Sequence, residues 1–323
     1  MTASRFFNAC ALACAALAAP LAHAQEFPSK PIRLVVPYSP GGLPDTVARI
    51  VSQQLQEALG QSVVVENKPG GGGSAAAGVL AQSPADGYTL LLTDGPMLAI
   101  TPLVVKKMSY NPEKDFVPVS LVGTAPLFLA VNASVKANTL DELIALGKAA
   151  PGQMNYGSSG LGSIHHLTAE AMNHGLGIAV AHVPFRGSAN SIPALVGGQV
   201  DMAFASPPSL MGFVKSGRVK LLAINSSKRS PLAPDVPTLG ERIPGFDFAF
   251  NLAVLAKTGT PPAVVQRLSK EFAKVVKIPE VVQKLETAGV EPVGGSSAQL
   301  ATALRLETQR VQVAAKRADL KAE

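Results

Sequence analysis

The chain has no tryptophan, four tyrosines and only two cysteines among its 323 residues. Both cysteines, Cys10 and Cys14, fall in an N-terminal segment with the pattern of an export signal. Arg5 supplies the positive charge, residues 6–21 are almost wholly apolar and alanine-rich, and Ala22-His23-Ala24 fits an A-x-A cleavage site. The run is short for a membrane span and carries no stop-transfer flank. Cleavage near Ala24 starts the processed chain at Gln25 or Glu26 and leaves it without cysteine. Cys14 has a second reading as a lipid-attachment residue, although Ala11 rather than leucine stands three positions before it. The lack of cysteine excludes disulfides, thiolate nucleophiles and Cys-ligated zinc. Such an exported protein relies on its core alone, which the roughly 299 remaining residues allow. The combination suits a bacterial periplasm.

Charge is also sparse, with 15% Asp, Glu, Lys and Arg. Without Arg5 there are 27 basic and 22 acidic residues, a net charge of +5 spread along the chain. No basic cluster interleaved with aromatics is present, so a nucleic-acid partner is not expected. The glycine turn near the N-terminus lacks a following Walker lysine, and the chain has neither a G-x-S-x-G elbow nor an H-x-x-x-H pair. A nucleotide P-loop is thereby excluded, and an exported α/β hydrolase is left as the least favoured alternative. No catalytic residue, metal or cofactor is expected.

What is present is alternation of strands and helices. Ile32, Leu34, Val35 and Val36 form a short buried strand that stops at Pro37. After Tyr38-Ser-Pro-Gly-Gly-Leu-Pro-Asp45, the residues Val47, Ile50, Val51, Leu55, Ala58 and Leu59 recur at helical spacing. A glycine turn that opens directly into a helix leaves backbone N–H groups unpartnered, and the helix dipole there favours an anion. The rhythm continues through strands at 62–66 and 89–92, with a small-residue helix between them. It resumes after an apolar stretch at 119–132 that is interrupted by Gly123-Thr-Ala-Pro126. A second set of strands follows at 154–156, 179–184, 200–205 and 219–224. An apolar segment at 248–256 crosses back, and the tail is helical. Two crossings predict two α/β domains with a cleft between them: 26–123 with 248–323, and 124–247. Ligands in such sheets sit beyond the C-terminal ends of strands.

Four loops are expected to face that cleft. The first is Ser39, Pro40, Gly41, Gly42 and Leu43, with Asp45 early in the helix organising the loop. The second is Ser158, Ser159, Gly160, Leu161, Gly162 and Ser163, followed by His165 and His166 on different helix faces, one of them exposed. The third is Phe185, Arg186, Gly187 and Ser188, where Arg186 either grips a carboxylate or lies on the rim. The fourth is Thr93, Asp94 and Gly95. If Asp94 faces the cleft, it repels a second carboxylate and accepts an ammonium or hydroxyl group; if it caps the next helix, it says nothing of the ligand. Closure would hinge at Gly123–Ala125 and at 245–250.

Several motifs carry a family resemblance across residues 27–321. They include Phe27-Pro-Ser-Lys-Pro-Ile32, Pro40-Gly-Gly42 with Asp45, Val65-Glu-Asn67 with Pro69-Gly70, and Asp86-Gly-Tyr-Thr-Leu90. Further along are Asp115-Phe116 with Pro118-Val119, Pro151-Gly-Gln153 with Tyr156, and His182-Val-Pro-Phe-Arg-Gly187. The last are Gly197-Gly-Gln199, Lys228-Arg-Ser230 with Asp235-Val-Pro-Thr238, and Gly259-Thr-Pro261. In this order they resemble the substrate-binding receptors of tripartite tricarboxylate transporters, the Bug family of periplasmic solute receptors. The resemblance implies a two-lobed type II periplasmic-binding fold, an α/β monomer that closes on a small organic carboxylate and performs no catalysis. The partner it implies is a set of integral-membrane transporter subunits; a sensor kinase is the alternative. The chain departs from the family pattern where Asn251 and Val311 replace tryptophans, and where Asp94-Gly-Pro-Met-Leu98 replaces a run of hydroxyl residues.

Overall fold

The computed structural model describes residues 27–105 and 108–320. The expected export signal and cleavage point lie outside the described residues. Eleven strands form two sheets. The first contains β1 (Ile32–Val36), β2 (Val63–Asn67), β3 (Thr89–Asp94), β4 (Phe116–Ala125), β10 (Phe250–Lys257) and β11 (Glu291–Gly295), in the order β11-β4-β10-β3-β1-β2. The second contains β5 (Phe128–Asn132), β6 (Asn155–Ser158), β7 (Ala181–Pro184), β8 (Met202–Ala205) and β9 (Val219–Ile224), in the order β7-β6-β8-β5-β9.

Each sheet has a parallel part built from strand–helix–strand units. β1 pairs with β2 and β3, and β6 with β7 and β8. Each sheet then accepts one crossing strand antiparallel. β10 runs between β3 and β4, and β5 runs between β8 and β9. This two-lobed arrangement is the type II periplasmic-binding fold. β1 shows why a short run suffices for a central strand: Leu34, Val35 and Val36 are fully buried, so both faces of the pleat are apolar. The following helix (Leu43–Leu59) buries Val47, Ala48, Val51, Leu55 and Leu59 against the sheet and stops at Gly60, which is left-handed. Fully burying each of these valines and leucines contributes about 1.5–3 kcal/mol.

The first passage between the lobes differs from the expected one. β4 continues unbroken through Gly123, Thr124 and Ala125, all paired with β10, so the first passage is at Pro126 and Leu127. Gly123 is not an interruption but a close approach: a Cβ there would sit 2.6 Å from the Glu291 carbonyl oxygen on neighbouring β11. The return passage is held by Asn225, which is fully buried. Its Oδ1 accepts from the Leu127 N–H at 2.7 Å, and its Nδ2 donates to the Phe248 carbonyl at 2.8 Å. Backbone bonds reinforce the clamp, Asn225 N–H to the Leu127 carbonyl at 3.0 Å and Phe248 N–H to the Asn225 carbonyl at 2.7 Å. One side chain therefore ties the outgoing chain to the returning one.

The C-terminal helix (Ser297–Arg317) opens with a full capping box of Ser296 and Gln299 and packs on the first lobe. At Thr139 only half of such a box forms: Thr139 receives the Glu142 N–H, while the Glu142 carboxylate takes the Asn138 N–H instead. The helix Gly95–Val104 is the one for which Asp94 is a candidate cap, whereas the strand β11 departs from the expectation of a helical tail.

Candidate functional site

A cavity of about 730 Å³ lies between the lobes. Its size falls within the range of small-molecule sites. Helices beginning at Leu43, Gly95, Ile164, Ser188 and Pro207 all open onto it, each contributing a residue of its first turn or its N-cap to the wall. The cavity therefore sees first-turn N–H groups and the positive ends of their dipoles. The N-caps Gly42, Gly187 and Ser206 make no side-chain capping bond. Two other caps are filled: Ser163 Oγ accepts the His166 N–H, and Asp94 Oδ1 accepts the Met97 N–H at 2.9 Å.

The first loop reaches the cavity through Tyr38 and Leu43 only; Ser39, Pro40, Gly41 and Gly42 stand back from the wall. Asp45 explains why. It is buried, and it accepts the Gly41 N–H at 2.9 Å, Asn67 Nδ2 at 2.8 Å and Arg49 Nη2 at 3.0 Å. Burial pushes its carboxyl up, but the bonds from Arg49, Gly41 and Asn67 outweigh this and hold it below the usual range. The loop is thus shaped by Asp45, which itself does not line the cavity.

In the second loop Ser159, Leu161, Gly162, Ser163 and His165 line the cavity, whereas Ser158 and Gly160 lie behind it. Ser158 ends strand β6, fully buried, with its hydroxyl 2.6 Å from His182 Nε2. His182, part of a resemblance motif but not among the expected site residues, lies on another strand, β7. It stacks on His166 at 4.0 Å between centroids and on Tyr156 at 4.9 Å. Neither member of the His165–His166 pair is exposed, which corrects the expectation for one of them: the second is buried in this stack, and the first meets Ser159 Oγ through Nδ1 at 2.7 Å. Burial pushes His165 down to about 4, and burial aided by His166 does the same for His182.

Both imidazoles are consequently neutral at pH 7. An unfolded histidine takes up its proton near pH 6.5, these only near 4, so their contribution to stability is present above about 6.5 and is lost as pH falls toward 4. In an NMR titration, the His165 and His182 ring resonances are expected to stay in the neutral form down to pH 5.5. Midpoints near 6.5 would contradict this environment.

In the third loop Ser188 lines the cavity, and Phe185, Arg186 and Gly187 do not. Arg186 is exposed, which corresponds to the rim position. In the fourth, Thr93 and Gly95 are buried off the wall, and Asp94 combines the two roles considered for it: it caps the helix Gly95–Val104 and lines the cavity. Its Oδ2 accepts the Tyr38 hydroxyl at 2.5 Å. Behind it stands an acid that the sequence reading missed. Glu307, on the C-terminal helix, is 3% exposed, and Asn251 Nδ2 donates to its Oε2 at 2.6 Å. Burial raises its carboxyl to about 8; the Asn251 bond opposes the shift and the charge of Asp94 adds to it. Asp94 and Asn251 thus both act on one buried acid. The signal was available in the helix itself, where Leu300, Glu307, Val311 and Ala314 share one face.

Among the described residues, no Lys or Arg lines the cavity, and no three His, Cys, Asp or Glu side chains come together as metal ligands. No described helix is long and apolar enough to cross a membrane.

Known proteins share this architecture. The model of the tripartite tricarboxylate transporter family receptor matches residues 47–320. Protein BugT of Bordetella pertussis is 37% identical over 301 residues, covering 93% of this chain and 92% of that protein. The structure of Rpa4515 of R. palustris with adipate superposes with a TM-score of 0.78 at 32% identity, covering 92% of this chain and all of the other. MatC from Rhodopseudomonas palustris, with bound malate, gives 0.72 at 30% identity, covering 89% and 99%. With its two-lobed fold, its interlobe cavity and a family match over most of its length, the chain belongs to the tripartite tricarboxylate transporter receptors, a family of periplasmic solute-binding proteins.

Proposed function

We propose that this chain is a monomeric periplasmic receptor that closes on a small organic carboxylate and hands it to the membrane subunits of a tripartite tricarboxylate-type transporter. The observation that carries this reading is the convergence of the helix N-termini at Leu43, Gly95, Ile164, Ser188 and Pro207 on one cavity. Each partly exposed helix end contributes about 0.3–1 kcal/mol toward an anion, and more where water is excluded. The Ser188 hydroxyl adds a donor, whereas Ser163 Oγ already donates to the Gly160 carbonyl at 2.7 Å. Adipate in Rpa4515 and malate in MatC support the same ligand class here.

In this reading, residues 26–123 with 248–323 form one closing unit and 124–247 the other, turning about the Leu127–Asn225–Phe248 clamp. Leu161, 65% exposed at the cavity wall, is the kind of apolar surface that closure covers. No turnover is part of the reading. With its ring near 4, His165 is too weak a base at neutral pH to activate the Ser159 hydroxyl beside it.

The test is a thermal-shift screen of refolded, ligand-free protein against mono-, di- and tricarboxylates, acidic amino acids and aromatic acids. A ligand at one hundred times its Kd stabilises the folded state by about 2.7 kcal/mol, enough for a clear rise in Tm. Silence across every acid removes the carboxylate reading.

A further inference from the structure

The two walls of the cavity are chemically unequal. On the second lobe the wall offers the first turns of the helices at Ile164 and Ser188 and the Ser188 hydroxyl, and no acid among the described residues. On the first lobe it offers Asp94, the only charged side chain among the described residues of the wall. Asp94 is held in place from two sides, by the Tyr38 hydroxyl at 2.5 Å and the Met97 N–H at 2.9 Å, so it cannot turn away from a ligand without losing both bonds. A carboxylate that already accepts two hydrogen bonds still has lone pairs for a third donor and has nothing to offer an acceptor.

The space behind Asp94 is filled by Glu307. Glu307 lies so close to the backbone of Gly95 that a Cβ there would meet its Oε2 at 1.8 Å. The first-lobe glycine loop supplies little compensation: the Gly41 N–H is taken by Asp45, and the Gly42 N–H points to the Ser39 carbonyl at 3.3 Å. Between the two ends the wall is apolar, formed by Leu43, Met97, Ile100, Val104, Leu161 and Leu320. Such a surface suits a hydrocarbon body and leaves the charged groups of a tricarboxylate unpartnered.

We propose that the ligand carries a single carboxylate, received by the Ser159–Ser163–Ser188 wall, and that its other end is a hydrogen-donating group, ammonium or hydroxyl, set against Asp94 across an apolar body. The proposal rests on the carboxylate-receptor reading and narrows it: Asp94 is the residue that selects against dicarboxylates.

The test uses matched acids that differ only at the far end. Calorimetric titration of ligand-free protein compares 6-aminohexanoate, 6-hydroxyhexanoate, hexanoate and adipate, with the four- and eight-carbon sets and 4-hydroxybenzoate, benzoate and terephthalate alongside. The tightest ligand is expected to be a donor-ended monoacid, at least tenfold tighter than its matched dicarboxylate. The amino and hydroxy arms tell whether the donor is cationic or neutral. In Asp94→Asn, which keeps an acceptor for the Met97 N–H, the ratio is expected to shrink about tenfold, mainly through tighter dicarboxylate binding. The wild-type ratio decides alone if that variant does not fold. A dicarboxylate that binds as well as its matched monoacid overturns the proposal and leaves the receptor reading standing. A methyl-ended acid equal to its donor-ended partner also overturns it. Binding by no acid at all takes down the receptor reading itself.

Discussion

Replacing Asn225 with alanine is expected to lower the stability of the folded chain by about 3–5 kcal/mol, read as a shift of the urea midpoint at unchanged slope. The size follows from what is left behind. The Leu127 N–H and the Phe248 carbonyl both lose their side-chain partner, and each buried group left unsatisfied costs about 1–3 kcal/mol. The emptied volume adds a smaller cost. Asn225→Asp separates the two bonds, since a carboxylate still accepts from Leu127 but cannot donate to Phe248. It is expected to be at least as damaging, because it also buries a charge. A loss below about 1 kcal/mol for the alanine variant would mean that the passages between the lobes hold together without this clamp.

The second large effect has the opposite sign. Glu307→Gln is expected to raise stability by roughly 3–5 kcal/mol near pH 8 and to change little near pH 4.5. The folded-state carboxyl titrates near 8 while an unfolded glutamate titrates near its ordinary value of 4.5, so the folded state holds a proton that the unfolded chain releases. The contribution of Glu307 is therefore complete below about pH 4.5 and is lost as pH rises through 8. Glutamine is always neutral, retains an acceptor for Asn251 Nδ2, and removes that loss. Thermal unfolding of both proteins from pH 4.5 to 8.5 is the measurement. Parallel curves would place the Glu307 carboxyl in an ordinary solvated state and remove the argument.

The fold was legible because its main signals are local. β1 and the helix Leu43–Leu59 can be read from apolar spacing within a few residues, and the Ser296–Gln299 box marks its helix start to the residue. The loops around the cavity were legible too, since Leu43, Asp94, Ser163 and Ser188 follow strand ends where such folds place ligands. What escaped were contacts between distant residues. Tyr38 reaches Asp94 over 56 positions, and Asn251 reaches Glu307 over another 56. The buried stack of Tyr156, His182 and His166 draws on three elements, and nothing near any one of them announces the others. Gly123 misled for a related reason: a glycine in a strand looks like a break until the strand pressing against it is known. Asn251 offered the fairest clue, a lone amide in an otherwise apolar strand, since a buried amide needs a partner.

The placement of β10 between β3 and β4 also governs the order in which the molecule can assemble. The second sheet draws all its strands from the continuous stretch Phe128–Ile224, so its ladder between those strands is complete once that stretch exists. The first sheet is different. β3 and β4 present open edges to each other until Phe250–Lys257 is inserted between them, and β4 gains its outer neighbour only with Glu291–Gly295. Its ladder thus waits on residues well over one hundred positions downstream, which makes the first lobe the slow-folding half. Until then its unpaired strands are templates for association with other chains. A nascent chain of this design gains from being kept extended until its last quarter is available.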